Sequence, residues 1–322
     1  MRFLIIQPSW DHTEVLGSLL YYIKYNNYNL DIIFNWSVPH NNFIDYYSDL
    51  FDLKYNKITY SSPKHHQKIF IAADVVIFVD EIHLKKFMSK NIYRLMLEKC
   101  YTFNHITSVI QWKIKTFSLG YVPYNYSKNV DKILINSYFN SGKNIDLMKD
   151  LKKSNKKKYL IVGNPSHRVI KYLEKLDEFN LNMDIYFVIR KDLDLDMEID
   201  NKNVTILKNL DTKKLFDLID TVDFIITLFK CNSVYHKDRI SGIIPLAISF
   251  CKPIIMDQNY KEINNFTFKN ISYENNFDDF KKKIENTISM SDSQYCTIIS
   301  DMLSYRNKNI KIQLDNFKTI FN

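Results

Sequence analysis

Apolar residues along this chain fall into short runs, separated by longer segments in which they recur at helical spacing. "RFLIIQ" (2–7) predicts a strand. "TEVLGSLLYYIKYN" (13–26) predicts a helix, with Val15, Leu16, Leu19, Leu20 and Ile23 along one face. "LDIIFNW" and "DVVIFVD" read as further strands, "KKFMSKNIYRLMLEKCYTF" (85–103) as a helix, and "VDKILINSYF" as the last strand of the first half. The pattern restarts at "KKYLIVGN". A helix from about 166 to 178 follows, then strands "DIYFVIR" and "NVTILK", helix "TKKLFDLID", strand "DFIITLF", one more helix and strand "PIIM". The tail from about 292 to 322 reads as helical. Strands that alternate with helices imply an α/β protein whose parallel sheets are covered on both faces. Two such runs in series predict two doubly wound domains, residues 1–152 and 156–300, facing a central cleft. Ligands are expected there, at the C-terminal ends of strands.

Composition narrows the class. The chain has 322 residues, is 46% hydrophobic and 25% charged, and contains only five glycines; these are proportions of a soluble globular protein. Abundant lysine, asparagine, isoleucine and tyrosine match the codon bias of an AT-rich genome, as in some giant viruses, protozoa and bacteria. The net charge of +8 is divided evenly between the halves, unlike a dedicated nucleic-acid face. The densest basic run, "KDLKKSNKKKY" (149–159), reads as a solvated linker, with anionic lipid or another polyanion as its alternative role. Cys100, Cys231, Cys251 and Cys296 form no metal-ligand spacing and no disulfide framework, which points to a reducing compartment. No run reaches membrane-spanning length, so the expectation is a cytoplasmic protein, with any membrane contact peripheral.

Three stretches imitate other chemistries. "VVIFVDEIH" (75–83) resembles the acidic box of an ATPase. The only Gly-Lys pair, Gly142-Lys143, lies downstream of it and lacks the rest of a phosphate loop. "DLDLDMEID" (192–200) imitates an Asp-x-Asp metal motif and reads better as an acidic surface loop. The adjacent histidines of "PKHHQK" (63–68) point apart on most backbones.

The most informative stretch is "KDRISGIIPLAISFCKPIIMD" (237–257). Ile244, Ala247 and Ile248 set a helical period, and Pro245 fits only in a first turn, where backbone N–H groups have no intrahelical partners. One of the five glycines thus stands at a helix start, beside Asp238 and Arg239.

From about residue 204 onward the order "TVDFIITLF", "RISG", "SFCKPII" resembles the donor domain of family-4-like, group 1 glycosyltransferases of the GT-B fold. "YLIVGNPSHRVIKYLEKL" is similar to the first strand, loop and helix of that domain. The resemblance implies two Rossmann-like domains. The first takes the acceptor and the second the nucleotide-sugar donor, and residues 301–322 form a helix that crosses back to the first. It also implies transfer of a sugar to a hydroxyl acceptor, a glycan or lipid-linked sugar, with retention favoured. No cofactor, metal or nucleic acid is expected. Alternatives are an inert sugar- or nucleotide-binding protein and a nucleotide-sugar epimerase on the same scaffold; a nucleic-acid-dependent ATPase is more distant.

A metal-free donor site must meet the growing negative charge of a leaving diphosphate with fixed cations and N–H groups. The candidate donor-binding residues are Gly163, Asn164, Arg168, Lys171, Asn209, Leu210, Arg239, Ser241 and Gly242. Ser241-Gly242 offer free N–H groups, and Arg168, Arg239 and Lys171 supply charge. The opposing readings are a surface helix residue for Arg168, an ion pair with Asp238 for Arg239, and a plain helix start for Gly242. The family's two glutamates, with seven residues between them, align with Asp238 and Leu246, so the second carboxylate is missing. In the first half, "QPSWDHTEVLG" places Asp11 and His12 as candidates to position or deprotonate the acceptor, with Trp10 as a stacking face. Their alternative role is to cap the first helix. Glu81 and His83 form a second acceptor-side candidate.

Overall fold

The computed structural model describes residues 1–7, 16–34, 42–59, 63–79, 99–104, 115–118, 132–134, 156–189, 199–231, 233–236 and 241–321. They form two parallel sheets with helices. In the first, strands β1 (Arg2–Gln7), β2 (Asn29–Phe34), β3 (Asn56–Thr59), β4 (Val75–Phe78), β5 (Cys100–Asn104), β6 (Lys115–Ser118) and β7 (Lys132–Leu134) lie in the order β3-β2-β1-β4-β5-β6-β7. Every described pairing in it is parallel. Helices α1 (Gly17–Tyr25), α2 (Asn42–Phe51) and α3 (Pro63–Ala72) fill the connections among β1 to β4. With both faces covered, the central strands have no polar side to show. Phe3 to Ile6 and Val75 to Phe78 are buried without alternation.

The second sheet contains β8 (Lys157–Val162), β9 (Met183–Ile189), β10 (Val204–Lys208), β11 (Phe224–Ile226), β12 (Ile254–Asp257) and β13 (Ile271–Tyr273), in the order β10-β9-β8-β11-β12-β13 and again parallel. Its helices are α4 (Ile170–Leu176), α5 (Thr212–Thr221), α6 (Ile243–Ser249), α7 (Gln258–Ile263), α8 (Phe277–Ile288) and α9 (Asp292–Phe321). Side-chain caps start three of them: Asp211 accepts from Lys214 N, Asp257 from Tyr260 N and Asn276 from Asp279 N. In α6, Pro245 stands in the first turn, as its missing N–H requires. Past the end of α6, Lys252 N donates to Ala247 O across Cys251, whose φ is 51°. That left-handed closure usually takes glycine. A chain with so few glycines places asparagine at four of its other left-handed positions: Asn27, Asn180, Asn209 and Asn265.

The chain divides into two compact units. The first comprises Met1–Phe139, Asp238–Gly242 and Asn309–Asn322; the second, Asn140–Lys237 and Ile243–Lys308. The end of α9 therefore belongs to the first unit. Its Phe317 packs on Tyr22 at 5.1 Å between ring centroids, and Phe321 packs on Phe3 and Tyr101, each also at 5.1 Å. Tyr101 Oη donates to Ile320 O. In the second unit the core runs from Tyr159, Ile161 and Phe187 through Phe224 and Ile226 to Phe280 and Ile284. Buried Arg306 donates from Nη1 to Ser249 O at 2.8 Å, placing a cation at the carbonyl end of α6.

One sequence expectation fails locally. The end of the segment read as a helix, "CYTF", is strand β5, paired with β4 and β6. Aromatic and β-branched side chains favour the pleated surface once neighbouring strands are available.

Candidate functional site

In the second sheet the chain goes from β8 to β9 on one side and later returns to β11 on the other. The strand order therefore reverses between β8 and β11. Loops leaving the C-terminal ends of those two strands flank the reversal, the usual ligand position of an open parallel sheet. Residues 163–169 follow β8, and residues 227–242 follow β11.

Gly163 begins the first loop with φ +123°, outside the range side-chain-bearing residues adopt, and its N–H donates to Val188 O at 3.0 Å. Asn164 accepts from Ser166 N at 2.8 Å and so opens a 3-10 turn, Pro165–His167. Arg168 follows in extended conformation, bridged to Phe229 of the other loop. It is not on a helix surface: only 1% of it is exposed. Its Nη2 reaches back over Gly163 to donate to Val162 O at 2.8 Å. A Cβ on residue 163 would stand 2.8 Å from that nitrogen. The glycine is what lets the guanidinium fold back onto its own strand.

The rest of the guanidinium lies among rings. Its Cζ is 4.4 Å from the Phe229 centroid and 5.3 Å from that of Tyr235, and those two rings stack at 4.5 Å. Burial pulls the Arg168 pKa down. The nearby tyrosines 235, 260 and 273 act in the opposite direction, and the Tyr235 hydroxyl approaches the guanidinium. Among the described residues, Nε and Nη1 are buried without a hydrogen-bond partner, and so is the Tyr273 hydroxyl. A buried cation normally has a counter-charge; here aromatic faces supply part of the compensation.

The second loop carries its own constraint. Leu228, with φ 47°, is fully buried at its start, an uncommon conformation for a large side chain and one that concentrates at functional sites. Val169 N donates to Leu228 O and Lys230 N to His167 O, which ties the two loops together. A 3-10 turn, Val234–His236, then presents Tyr235 to Arg168. His236 Nδ1 lies 3.1 Å from Ser233 Oγ, and its Nε2 lies 3.1 Å from Oδ1 of buried Asp257.

Of the other sequence candidates, Lys171 is exposed on α4. Asn209 (φ 58°) and half-buried Leu210 follow the edge strand β10, two strands from β8. Ser241 is buried and Gly242 half-buried, immediately before α6, and Leu246 is buried within that helix. Trp10, Asp11, His12, Glu81, His83, Asp238 and Arg239 lie outside the described residues. Sequence reasoning did not find Phe229, Tyr235, His236 or Asp257. Their only signal is position: Phe229 ends the predicted strand "DFIITLF", Tyr235 and His236 come after it, and Asp257 follows "PIIM". Among the described residues, no group of three or more His, Cys, Asp or Glu is placed to hold a metal, and no helix is long and apolar enough to cross a membrane.

No protein-family model matches the sequence, and no curated protein matches it. Solved structures do. Anabaena Alr3699/HepE in complex with UDP-glucose aligns over 99% of both chains with TM-score 0.66 and 11% identity. The E. coli trehalose-6-phosphate structure bound with UDP-2-fluoro glucose aligns over 100% of this chain and 99% of its own, with TM-score 0.60 and 9% identity. Methanocaldococcus jannaschii UDP-GlcNAc 2-epimerase, in complex with UDP-GlcNAc and UDP, aligns over 95% of this chain and 100% of its own, with TM-score 0.55 and 13% identity. The chain has a GT-B glycosyltransferase-like fold.

Proposed function

We propose that this protein binds a nucleotide sugar at the C-terminal edge of the second sheet and transfers the sugar to a hydroxyl acceptor, a glycan or a lipid-linked sugar. The observation that carries the reading is Arg168, a buried guanidinium at the strand-order reversal, with two nitrogens unpaired and no carboxylate bonded to it among the described residues. In surroundings of low dielectric its charge is poorly screened, so an anion at that reversal is drawn toward it. A diphosphate gains negative charge as the glycosidic bond breaks, and a fixed cation stabilises that stage more than the ground state. Lys171, Arg239 and the Ser241-Gly242 backbone are the further donors assigned to the diphosphate, in place of a metal. Asp238 is the further catalytic candidate. Asp11 and His12, with Trp10, or else Glu81 and His83, serve the acceptor. The structural relatives, solved with UDP or UDP sugars, agree with a uridine nucleotide as the first ligand to try.

Buried Leu246 favours a second reading, nucleotide-sugar binding without transfer, because no carboxylate stands at that helix position. Calorimetric titration with UDP, UDP-glucose, UDP-GlcNAc, GDP and ADP tests both readings. The expected result is saturable binding of a diphosphate nucleotide in EDTA, weakened about 10- to 100-fold by Arg168→Gln, the effect of losing a charge-assisted interaction. Arg168→Lys retains part of the affinity. Binding of no nucleotide, or equal binding by folded Arg168→Gln, refutes the site. Release of sugar from the bound donor separates transfer or epimerisation from inert binding.

A further inference from the structure

A side chain from the neighbouring strand bonds to the 3-10 turn that walls Arg168. Asp257 ends β12 and caps α7. Its Oδ1 accepts from Tyr260 N at 2.9 Å and lies 3.1 Å from His236 Nε2. A carboxylate oxygen only accepts, so Nε2 donates to it. The other ring nitrogen, Nδ1, lies 3.1 Å from Ser233 Oγ. The bonds form one chain from serine hydroxyl through imidazole to carboxylate. The His236 side chain is 4% exposed and that of Asp257 1%, and both ring nitrogens already face protein partners. What the relay does reach is the cation. Tyr235, adjacent to His236 in the same turn, stacks on Phe229 and faces Arg168, while the His236 ring lies edge-on to Phe229 and Tyr260. The other bonds that shape the turn, Ser233 N to Lys230 O and His236 N to Ser233 O, are local to it.

We propose that Ser233, His236 and Asp257 are positioning residues for the donor site, a relay that clamps the Tyr235 turn to the start of α7 and so keeps the Arg168 guanidinium oriented for a diphosphate. This rests on the nucleotide-sugar reading above. Preorganisation of a charged group depends on the shell that holds it, and a shell loosened at one bond gives a site that is present but misaligned.

The test compares His236→Phe with His236→Gln by calorimetry with UDP, alongside thermal unfolding of each variant. Phenylalanine fills the ring's volume but donates nothing to Asp257. Glutamine keeps an N–H donor near the Nε2 position. His236→Phe is expected to weaken UDP binding about 10- to 100-fold, the equivalent of a hydrogen bond to a charged group, while His236→Gln stays within about threefold of wild type. A residue that only stabilises the fold would lower the unfolding temperature and leave the folded protein's affinity alone. The relay is overturned if folded His236→Phe binds UDP like wild type, or if both variants lose affinity equally. Where His236→Phe does not fold, Ser233→Ala carries the test: it removes one neutral hydrogen bond, with an expected loss of about threefold, and unchanged affinity counts against the relay. If the wild-type protein binds none of the nucleotides, the site reading falls and this inference with it. If wild type binds and the variants are indifferent, only the relay falls.

Discussion

Replacing Gly163 by alanine perturbs the backbone and Arg168 together, and the two effects can be separated. At φ +123° the added methyl forces a conformation that side-chain-bearing residues avoid, a strain of about 1–3 kcal/mol. The methyl also stands 2.8 Å from Arg168 Nη2. On a surface arginine that overlap would cost little, because the side chain would swing away. Here the side chain is 1% exposed and faced by Phe229 and Tyr235, so moving it breaks the bond to Val162 O and leaves a buried carbonyl and cation unsatisfied, about 1–3 kcal/mol more. The expected total is about 2–6 kcal/mol, a large part of the 5–15 kcal/mol that typically holds a domain together. Urea unfolding of wild type, Gly163→Ala, Arg168→Ala and the double variant measures the coupling. In the Arg168→Ala background the methyl has nothing to strike, so Gly163→Ala is expected to cost only the strain, and the coupling reports the contact. Equal cost of Gly163→Ala in both backgrounds, or a cost below about 0.5 kcal/mol, would show that the glycine does not make room for the guanidinium.

Three further outcomes are expected. Lys99 Nζ donates to the carbonyls of Phe70, Ile71 and Ala73 at the end of α3, so Lys99→Met should lower stability by about 1–2 kcal/mol in urea. Lys57→Met, which breaks an exposed pair with Asp45, should change it by less than about 0.5 kcal/mol; similar losses for both would contradict this reading of burial. Burial raises the thiol of Cys100 to about 12 and that of Cys251 to about 11, partly opposed by Lys99 and by Arg306 with Lys252. Both should resist a thiol reagent at pH 8 in native protein while exposed Cys231 reacts. The unfolded thiols ionise first, near pH 8.5–9, so their contribution to stability is full below that range and declines as pH rises toward 11. A melt at pH 10 no less stable than at pH 7 would speak against it. His12→Ala should slow sugar transfer and leave nucleotide affinity nearly unchanged; an unaltered transfer rate removes His12 from the acceptor side.

Much of the architecture can be read from the order of residues. An apolar run such as "RFLIIQ" or "KKYLIVGN" has few ways to bury every side chain except as a central parallel strand, and the helical spacing between such runs supplies the layers that cover it. Pro245, with no N–H to offer a helix interior, places the start of α6 to within a turn. Gly163 and Arg168 are legible as candidates for the same reason, being a glycine in a glycine-poor chain and a cation just beyond a strand. Short elements are not legible. β5, β6 and β13 are too brief to show a period, and "CYTF" is a strand because β4 and β6 stand on either side of it. What Arg168 does is also beyond the sequence. Phe229 and Tyr235 come to it from the loop after β11 and Tyr273 from β13, and Asp257 meets His236 from 21 positions away. Periodicity is a property of neighbours along the chain and survives in the sequence. A buried cation's surroundings depend on which strands lie side by side, and the order β10-β9-β8-β11-β12-β13 is settled only when the whole sheet closes around its core.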